Sequence, residues 1–414
     1  MNQVRVNTNL NFHKIFSLES LVLLYFLLLL FWGKTFTKFN IAGPIYLHDL
    51  FFFCLALIAI NTRRKLVLRF HAVTFIIILS IFYLLISIFY ATKGERDILL
   101  IFRHFYLFFY LMLSFIIFNV IIRKAGDVNG AIKLLMIIAK VSILLQIVFI
   151  VIGYFFIPGF GLFGADEYNY FSPLVIFGII GYAAYILAYE NNRFKRYLKF
   201  MGCLFLSTTL GHSSAFLAVF LLLLIHFFIK ITPIQRLIAI ALLLIIMAPL
   251  FFLPQFTDAN AGWRVLYWKH VLERLINEKY LIFGYGFGQP YMTSEYGVYL
   301  NEVLNSPIMM DDKYPLARYL SPPHNSILTI AFHIGLIPML FLFIPLKNYF
   351  KQLFFKPITD DQNFNFLIYN LTGCIVWVCF NVILELPHSA VYFWLVFFTT
   401  ALYSKHINTN LNRN

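Results

Sequence analysis

Charged side chains are scarce in this chain. Asp, Glu, Lys and Arg make up 12% of its 414 residues, about half the share found in soluble globular proteins, whereas 61% are hydrophobic. The apolar residues, including 50 Phe and 25 Tyr, run from residue 18 to residue 403. In a soluble domain they would leave large exposed apolar patches, which such proteins rarely carry. The composition therefore excludes a secreted, disordered or ordinary cytosolic protein and predicts a polytopic membrane protein.

Cysteine is also scarce. The four cysteines lie in apolar stretches and none forms a Cys-x-x-Cys pair, so the sequence predicts neither a disulfide nor a metal site. Acidic residues are scarce as well. The chain has 18 Asp and Glu against 32 Lys and Arg, which gives a formal net charge of +14. No loop interleaves the cations with aromatic residues on a soluble face. The excess therefore indicates basic cytoplasmic loops rather than a nucleic-acid partner.

Apolar stretches are abundant, and a bilayer-spanning helix needs about 20 such residues. They predict an all-α protein of about twelve transmembrane helices. The predicted spans lie near residues 18–33, 43–60, 70–91, 99–121, 131–156, 171–189, 198–209, 213–229, 237–254, 324–346, 365–384 and 389–404. The alternative to spans seven and eight is one long helix over 200–229, which would invert the orientation of everything after it.

The distribution of Lys and Arg decides between these topologies. With twelve spans and both termini in the cytoplasm, the short outer loops carry only Lys34, Lys38, Lys93 and Arg96. One merged helix would place Lys347, Lys351 and Lys356 outside, against the positive-inside rule. The N-terminal apolar run follows Lys14 and lacks a cleavage motif, so it is predicted to be a first span.

This topology divides the chain into spans one to nine (1–254), an extracytoplasmic loop (255–322) and spans ten to twelve (323–414). The loop is nearly neutral and far longer than about 12–15 residues, above which loops are usually functional or disordered. Its first part, residues 260–280, predicts an amphipathic helix at the bilayer surface. The predicted apolar stripe is Val265, Trp268, Leu272, Leu275 and Ile276, with His270, Arg274 and Asn277 opposite. Arg264 on this helix is either functional or merely snorkels to water.

Two short motifs follow the predicted helix. Gly284-Tyr285-Gly286-Phe287-Gly288 is a plain turn or a place where the backbone approaches a bound group. Pro323-His324-Asn325 stands where the loop enters span ten, and Asn325 suits a helix cap. Beyond a structural role, a neutral His324 at a helix N-terminus suits a general base, and the helix end suits an anion.

Five more polar positions lie at or inside predicted spans. Arg103 lies about one turn inside span four, where an ionisable residue marks a site by default, although snorkelling is the alternative. His212, Glu385 and His388 face the outside and are predicted to form local hydrogen bonds. Lys140, inside span five, is left without a role.

In this order and topology, the features resemble the O-antigen ligase and polymerase family of bacterial surface-polysaccharide assembly. The resemblance rests on a run of spans followed by Gly262-Trp263-Arg264, Trp268, Gly284, Gly286, Pro323-His324-Asn325 and Gly335. It implies a glycosyltransferase of the lipid-sugar-using, GT-C-like membrane type, working on the periplasmic face of the bacterial inner membrane. The implied donor is a glycan linked through diphosphate to undecaprenyl, without metal, cofactor or nucleotide sugar.

The resemblance also implies site residues. Arg264 and His324 match the family's essential Arg and His, and Trp268, Gly286 and Asn325 fall in the same motifs and would bind substrate. Many members carry a further Arg between the seventh and eighth spans, where this chain has Leu210-Gly211-His212-Ser213-Ser214. Either His212 or Arg103 would take that role. The chemistry agrees, because an Arg fork suits a leaving diphosphate and a neutral His suits an attacking hydroxyl.

Several functions remain open at this point. A polymerase would join the donor glycan to another lipid-linked glycan, whereas a ligase would move it to lipid A–core or another acceptor. We favour a polymerase, because no feature indicates a lipid A–core site. A lipid-linked oligosaccharide flippase or transporter is the alternative of another class, although no internal repeat is evident. Other expected partners are membrane lipids and polysaccharide-assembly proteins, and a purely structural role in such an assembly is the third class.

Overall fold

The structure is a computed structural model. It describes residues 17–42, 45–61, 71–122, 125–156, 174–209, 213–239, 242, 262–304, 322–356 and 360–411. Apart from one short β-hairpin, the regular secondary structure in these ranges is helical.

The first part of the chain contains the longest apolar helices. Its elements are α1 (Leu18–Lys38), β1 (Asn40–Ala42), β2 (Ile45–Tyr46), α2 (Leu47–Asn61), α3 (His71–Thr92), α4 (Ile98–Ile121) and α5 (Ala125–Phe156). Helices α3 and α4 and residues Val128–Phe156 of α5 are long and apolar enough to cross a bilayer. Shorter apolar stretches occur in α1 and α2. The described part of the chain is therefore predominantly helical, with helices suited to a membrane, as the composition predicted.

Three helices follow: α6 (Leu174–Tyr189), α7 (Arg193–Thr208) and α8 (Ser213–Phe228). The ring of Tyr197, near the start of α7, stacks on Phe227, near the end of α8, with 6.2 Å between centroids. The two helices are thus antiparallel, and residues 200–229 do not form one long helix. Of the predicted span 237–254, most residues lie outside the described ranges.

The last part contains α9 (Gly262–Asn277), α10 (Ser294–Leu304), α11 (Ser326–Ile334), α12 (Leu336–Leu342), α13 (Lys347–Phe355), α14 (Gln362–Cys379) and α15 (Pro387–Leu411). The prediction of one continuous span over 324–346 is wrong, because the helix breaks between α11 and α12. The break lies at Gly335, whose φ of +86° favours glycine. A side chain there would also overlap the backbone of Ile282.

Helix α14 lies at the centre of the described bundle and packs closely on α6. A Cβ atom on Gly373 of α14 would lie 2.5 Å from the Ile180 side chain, and one on Gly181 of α6 would lie 2.7 Å from the Tyr392 hydroxyl. Small residues let helix backbones approach in a membrane, where burial of apolar surface does not drive association. These two glycines therefore allow α6 to lie close to α14 and α15.

The bundle has two chemically distinct ends. At one end, Asn381 after α14 donates to the Ser214 hydroxyl at the start of α8 (2.6 Å). We call this the loop end, since Arg264 and Trp268 of α9 also contact Phe380 there. At the opposite end, Tyr189 of α6 bonds Asn363 of α14. We call this the basic end, and it carries Arg193, Lys195, Arg196, Lys199, Lys230, Arg236, Lys347, Lys351, Lys356 and Lys405.

Candidate functional site

Helix α9 is held at the loop end by an aromatic face. Trp263, Tyr267, Val271 and Leu275 recur every four residues and are buried. They form a second hydrophobic cluster with residues of α11 and of the connecting segment, including Leu328, Phe332, Tyr285 and Tyr291. Position 264, between two of these anchors, is thereby fixed against the start of α11.

The predicted apolar stripe of this helix is largely the exposed one. Val265, Leu272 and Ile276 are exposed, whereas Leu275 is buried and Trp268 is half-buried. The predicted stripe consists mainly of aliphatic residues, and it is displaced by about one residue from the face that is buried. Large aromatic side chains dominate burial when a partner surface is present, and α11 provides that surface.

Arg264 is half-buried and has hydrogen-bonding capacity to spare. Its Nη1 donates to the carbonyl of Phe380 (3.4 Å), and its guanidinium lies 5.4 Å from the Trp263 ring centroid. Its Nε is buried without a hydrogen-bond partner among the described residues. Burial lowers the pKa of this guanidinium, which still stays protonated at neutral pH. A fixed cation with an unused donor can receive an anion.

His324 contacts the same Trp263 ring. The two rings meet edge to face with 5.2 Å between centroids. The backbone of His324 has a φ of +50°, which is uncommon for a residue other than glycine, and its amide donates to the Pro322 carbonyl (2.8 Å). Backbone strain of this kind persists where the surroundings hold it, and it clusters at functional sites.

Trp268 and Asn325 hold the two sides of this turn. The indole Nε1 of Trp268 donates to the Pro323 carbonyl (2.5 Å), tying α9 to the turn. The side chain of Asn325 accepts from the Leu328 amide (3.0 Å) and caps α11 as predicted for a helix start. In the structure both residues position the backbone at His324.

A polar shell lies behind the turn. The Ser326 hydroxyl accepts from the amides of Ile383 (2.9 Å) and Leu384 (3.1 Å) and bonds the carboxylate of Glu385. The second carboxylate oxygen of Glu385, Oε1, is buried without a hydrogen-bond partner in the described ranges. Burial raises the pKa of this carboxyl group, which lies in the connection between α14 and α15. The start of α11 and residues 380–386 are therefore one hydrogen-bonded unit.

Residues 284–288, which we call the glycine segment, are buried in the bundle instead of lying on the surface. The amides of Tyr285 and Gly286 donate to the carbonyls of Phe332 (2.8 Å) and His333 (2.9 Å) at the end of α11. The guanidinium of Arg96 donates to the carbonyls of Phe287 (2.6 Å) and Tyr285 (3.1 Å). Irregular backbone at membrane depth is tolerated where protein satisfies its polar groups. Gly286 thus lies in a structural contact.

The glycine segment also connects two buried histidines. The Tyr291 hydroxyl bonds His333 Nε2 (2.8 Å), and His333 Nδ1 bonds the Gly286 carbonyl (2.9 Å). The Gly288 amide donates to His104 Nδ1 (3.3 Å), and the two imidazole centroids are 4.6 Å apart. Because its Nδ1 accepts this bond, His104 is neutral, and its Nε2 is a buried donor for which the described residues offer no acceptor.

The remaining predicted residues are dispersed. Arg103 is exposed on α4, and the described contacts do not join it to Arg264 or His324. It lies instead near enough to Tyr291 to influence that phenol. Burial and the charge of Glu385 raise the pKa of Tyr291, and the charge of Arg103 lowers it. His212 lies outside the described residues, as does the side chain of His388. Lys140 lies over the Tyr185 ring, 4.8 Å from its centroid.

Comparison with known proteins adds no identification. The chain matches no protein-family model, no curated protein and no solved structure.

Sequence reasoning assigned no site role to Arg96, Tyr291, His333 or Glu385. The sequence around Arg96 indicates only an outer-loop charge, because its partners lie about 190 residues away in the chain. Glu385 had a usable signal, because an acidic residue directly after an apolar span is costly unless it is bonded. His333 lies near the end of α11, far from the cap at Asn325, and no local sequence pattern indicates its buried contacts.

Proposed function

We propose that the chain is a glycosyltransferase that uses a polyprenyl-diphosphate-linked glycan as donor. The observation that carries this proposal is the contact of both Arg264 and His324 with the Trp263 ring, at the end of the bundle where α11 begins. A fixed cation beside an imidazole is what transfer of a sugar from a diphosphate requires. The resemblance to the O-antigen ligase and polymerase family points to the same two residues.

The reaction at this site is a single displacement with inversion. The acceptor hydroxyl oxygen attacks the anomeric carbon of the donor glycan, and the bond from that carbon to the phosphate oxygen breaks. The diphosphate leaves with the bonding electrons, and Arg264 stabilises its added negative charge. His324 takes the proton of the attacking hydroxyl. Trp268, Asn325 and Ser326 keep the His324 backbone in place.

The proposal includes twelve spans of the GT-C-like type, with the loop end on the periplasmic face of the bacterial inner membrane. It is supported by the antiparallel pair α7 and α8 and by the concentration of Lys and Arg at the basic end. Cations favour the cytoplasmic side of a membrane protein. Both chain ends would then be cytoplasmic.

Polymerase is the favoured activity and ligase the alternative. The glycans of a deletion strain, complemented with the wild-type gene or a variant, separate them. Single repeats on lipid A–core without long chains would identify a polymerase. Long chains left on the polyprenyl carrier beside bare core would identify a ligase.

The same complementation tests the site. We expect His324→Ala and Arg264→Ala to reduce glycan transfer at least about 100-fold, since a general base or an oxyanion partner is usually worth that much. Arg264→Lys should restore little, because a lysine lacks the planar fork. Lys269→Ala, on an exposed position of the same helix, is the matched control and should be active. Full transfer by correctly inserted His324→Ala protein would refute the assignment.

A flippase or transporter is the second candidate, and one observation favours it. The helix is interrupted between α11 and α12, and the buried pair His104 and His333 lies beside the interruption. Transporters use such broken helices for binding. Lipid-linked repeats accumulating on the cytoplasmic leaflet of the deletion strain would support a flippase. Accumulation on the outer leaflet would support the transferase.

A further inference from the structure

The basic end contains an apolar cavity of about 540 Å³ between α8, α13 and α14. Its walls include Leu224, Phe228, Leu353, Phe354 and Val376. The hydroxyls of Tyr349 and Thr372, which also reach the wall, bond each other (2.6 Å). A pocket with such an apolar lining accepts apolar groups. Its volume is within the range of pockets that bind small ligands.

A cluster of cations borders this cavity. The Lys230 ammonium lies 5.7 Å from the ring centroid of Phe227, which is itself a wall of the cavity. The other neighbour of Phe227 is Tyr197, which lies in the first turns of α7 beside Arg193 and Arg196. Burial lowers the pKa of Lys230, and the charges of Arg196 and Arg193 lower it further. Arg193 and Arg196 are therefore close enough to act on Lys230, which borders the cavity through Phe227.

These cations are not neutralised within the described part of the chain. No carboxylate there lies within ion-pair distance of Arg193, Arg196 or Lys230. The nearby Glu190 pairs with Lys199 instead. Arg196 donates to the Glu190 carbonyl (2.7 Å), and Lys230 to His226 Nε2 (2.7 Å). Like charges held together without a counter-charge are unfavourable, and a bound anion would relieve the repulsion.

We propose that this end binds one anionic phospholipid. Its phosphate lies against Arg193, Arg196 and Lys230, and one acyl chain enters the cavity between α8, α13 and α14. An inorganic phosphate would use the cations and leave the adjoining apolar volume unfilled, so the combination selects a lipid. Anionic lipids are drawn to basic residues at the cytoplasmic surface of membranes, where this end is expected. The site is independent of the proposed transferase activity.

Lipid retention by the full-length purified protein tests the headgroup contact. We would exchange phosphatidylglycerol or phosphatidylcholine into the detergent-solubilised protein and count bound lipids by native mass spectrometry. Wild type should retain one phosphatidylglycerol in preference to phosphatidylcholine. The triple variant Arg193→Gln, Arg196→Gln, Lys230→Gln should lose affinity by about fivefold for each charge. The control Lys347→Gln, Lys351→Gln, Lys405→Gln removes three exposed cations from the same end and should retain the lipid.

A second variant tests the acyl-chain contact. Leu224→Trp fills part of the cavity from a half-exposed position. A phosphatidylglycerol with a photoreactive acyl chain should crosslink to residues 221–231 and 349–376 of wild type, and much less to this variant. Melting curves of every variant would verify folding. Equal retention by wild type and both site variants would overturn the proposal. Displacement by glycerol 3-phosphate as potent as by the lipid would overturn it too, since the ligand would then be a free phosphate.

Discussion

At the scale of single residues, Arg236 stabilises the basic end through backbone contacts. It is fully buried, and its guanidinium donates to the carbonyls of Phe228, Ile231, Leu353 and Lys356 at 2.7–3.2 Å. The last carbonyls of a helix lack partners within that helix. The side chain of Arg236 therefore satisfies carbonyl groups at the C-terminal ends of both α8 and α13.

We expect Arg236→Lys to destabilise the protein although it retains the charge. A lysine offers three donors from one atom and cannot reach acceptors in two helices, so buried carbonyls would be left unbonded at about 1–3 kcal/mol each. Thermal unfolding of the detergent-purified protein should shift downward by about 5 °C or more. Arg193→Lys, on an exposed arginine of the same end, should leave the midpoint unchanged. Equal midpoints for Arg236→Lys and wild type would show that these contacts contribute nothing.

At the scale of elements, the glycine segment joins three parts of the chain. It contacts α3 through Ser87, whose hydroxyl accepts from the Phe287 amide (3.0 Å), α4 through His104 and the broken helix through His333. The break at Gly335 and the glycine segment are thus one structural unit. Each satisfies the backbone groups that the other leaves free.

Alanine substitutions at three glycines should separate backbone strain from packing in this unit. Gly94, Gly284 and Gly286 all have φ between +71° and +76°. An L-residue in this region costs roughly 1–2 kcal/mol. A Cβ atom added at Gly94 would meet nothing within 4 Å. One added at Gly286 would lie 3.2 Å from Arg96 Nη1, and one added at Gly284 would lie 2.5 Å from the backbone of α11 and of Gly335. The melting midpoint should therefore fall least for Gly94→Ala and most for Gly284→Ala. Equal losses at all three would show that the segment is not packed as described.

The same segment shows what the sequence could not predict. Hydrophobic runs placed most helix boundaries within a few residues, as for α4, predicted over 99–121 and found at Ile98–Ile121. Helix capping by Asn325 was also readable, because a cap acts over three residues. The contact between Ser87 and Phe287 joins positions 200 residues apart, and no local periodicity encodes it. The break at Gly335 likewise packs against Ile282, which is distant in the sequence, so a pattern of apolar residues cannot reveal it.

At the scale of the whole molecule, the two ends carry different chemistry. The loop end combines Arg264, His324 and the bonded pair Ser326 and Glu385. The basic end combines exposed cations with an apolar cavity. A protein that receives a lipid-linked substrate on one face and is held by anionic lipids on the other would have this polarity. The proposals for both ends therefore share one requirement, which is the orientation of the bundle.

Thiol labelling in intact cells tests that orientation. In a variant with Cys54, Cys203, Cys374 and Cys379 replaced, single cysteines would be placed at Lys93 and Lys269 of the loop end and at Lys195, Lys351 and Lys405 of the basic end, which are all exposed. A reagent that cannot cross the inner membrane should label the first two, and the last three only after permeabilisation, because cations favour the cytoplasmic side. The positions at 195 and 351 are the most informative pair. Twelve spans place these two positions on the same side of the membrane, so labelling of one without the other in intact cells would refute the topology. Labelling of the basic end alone in intact cells would show that the orientation is reversed. Either result would remove the periplasmic placement of Arg264 and His324 on which the transferase proposal depends.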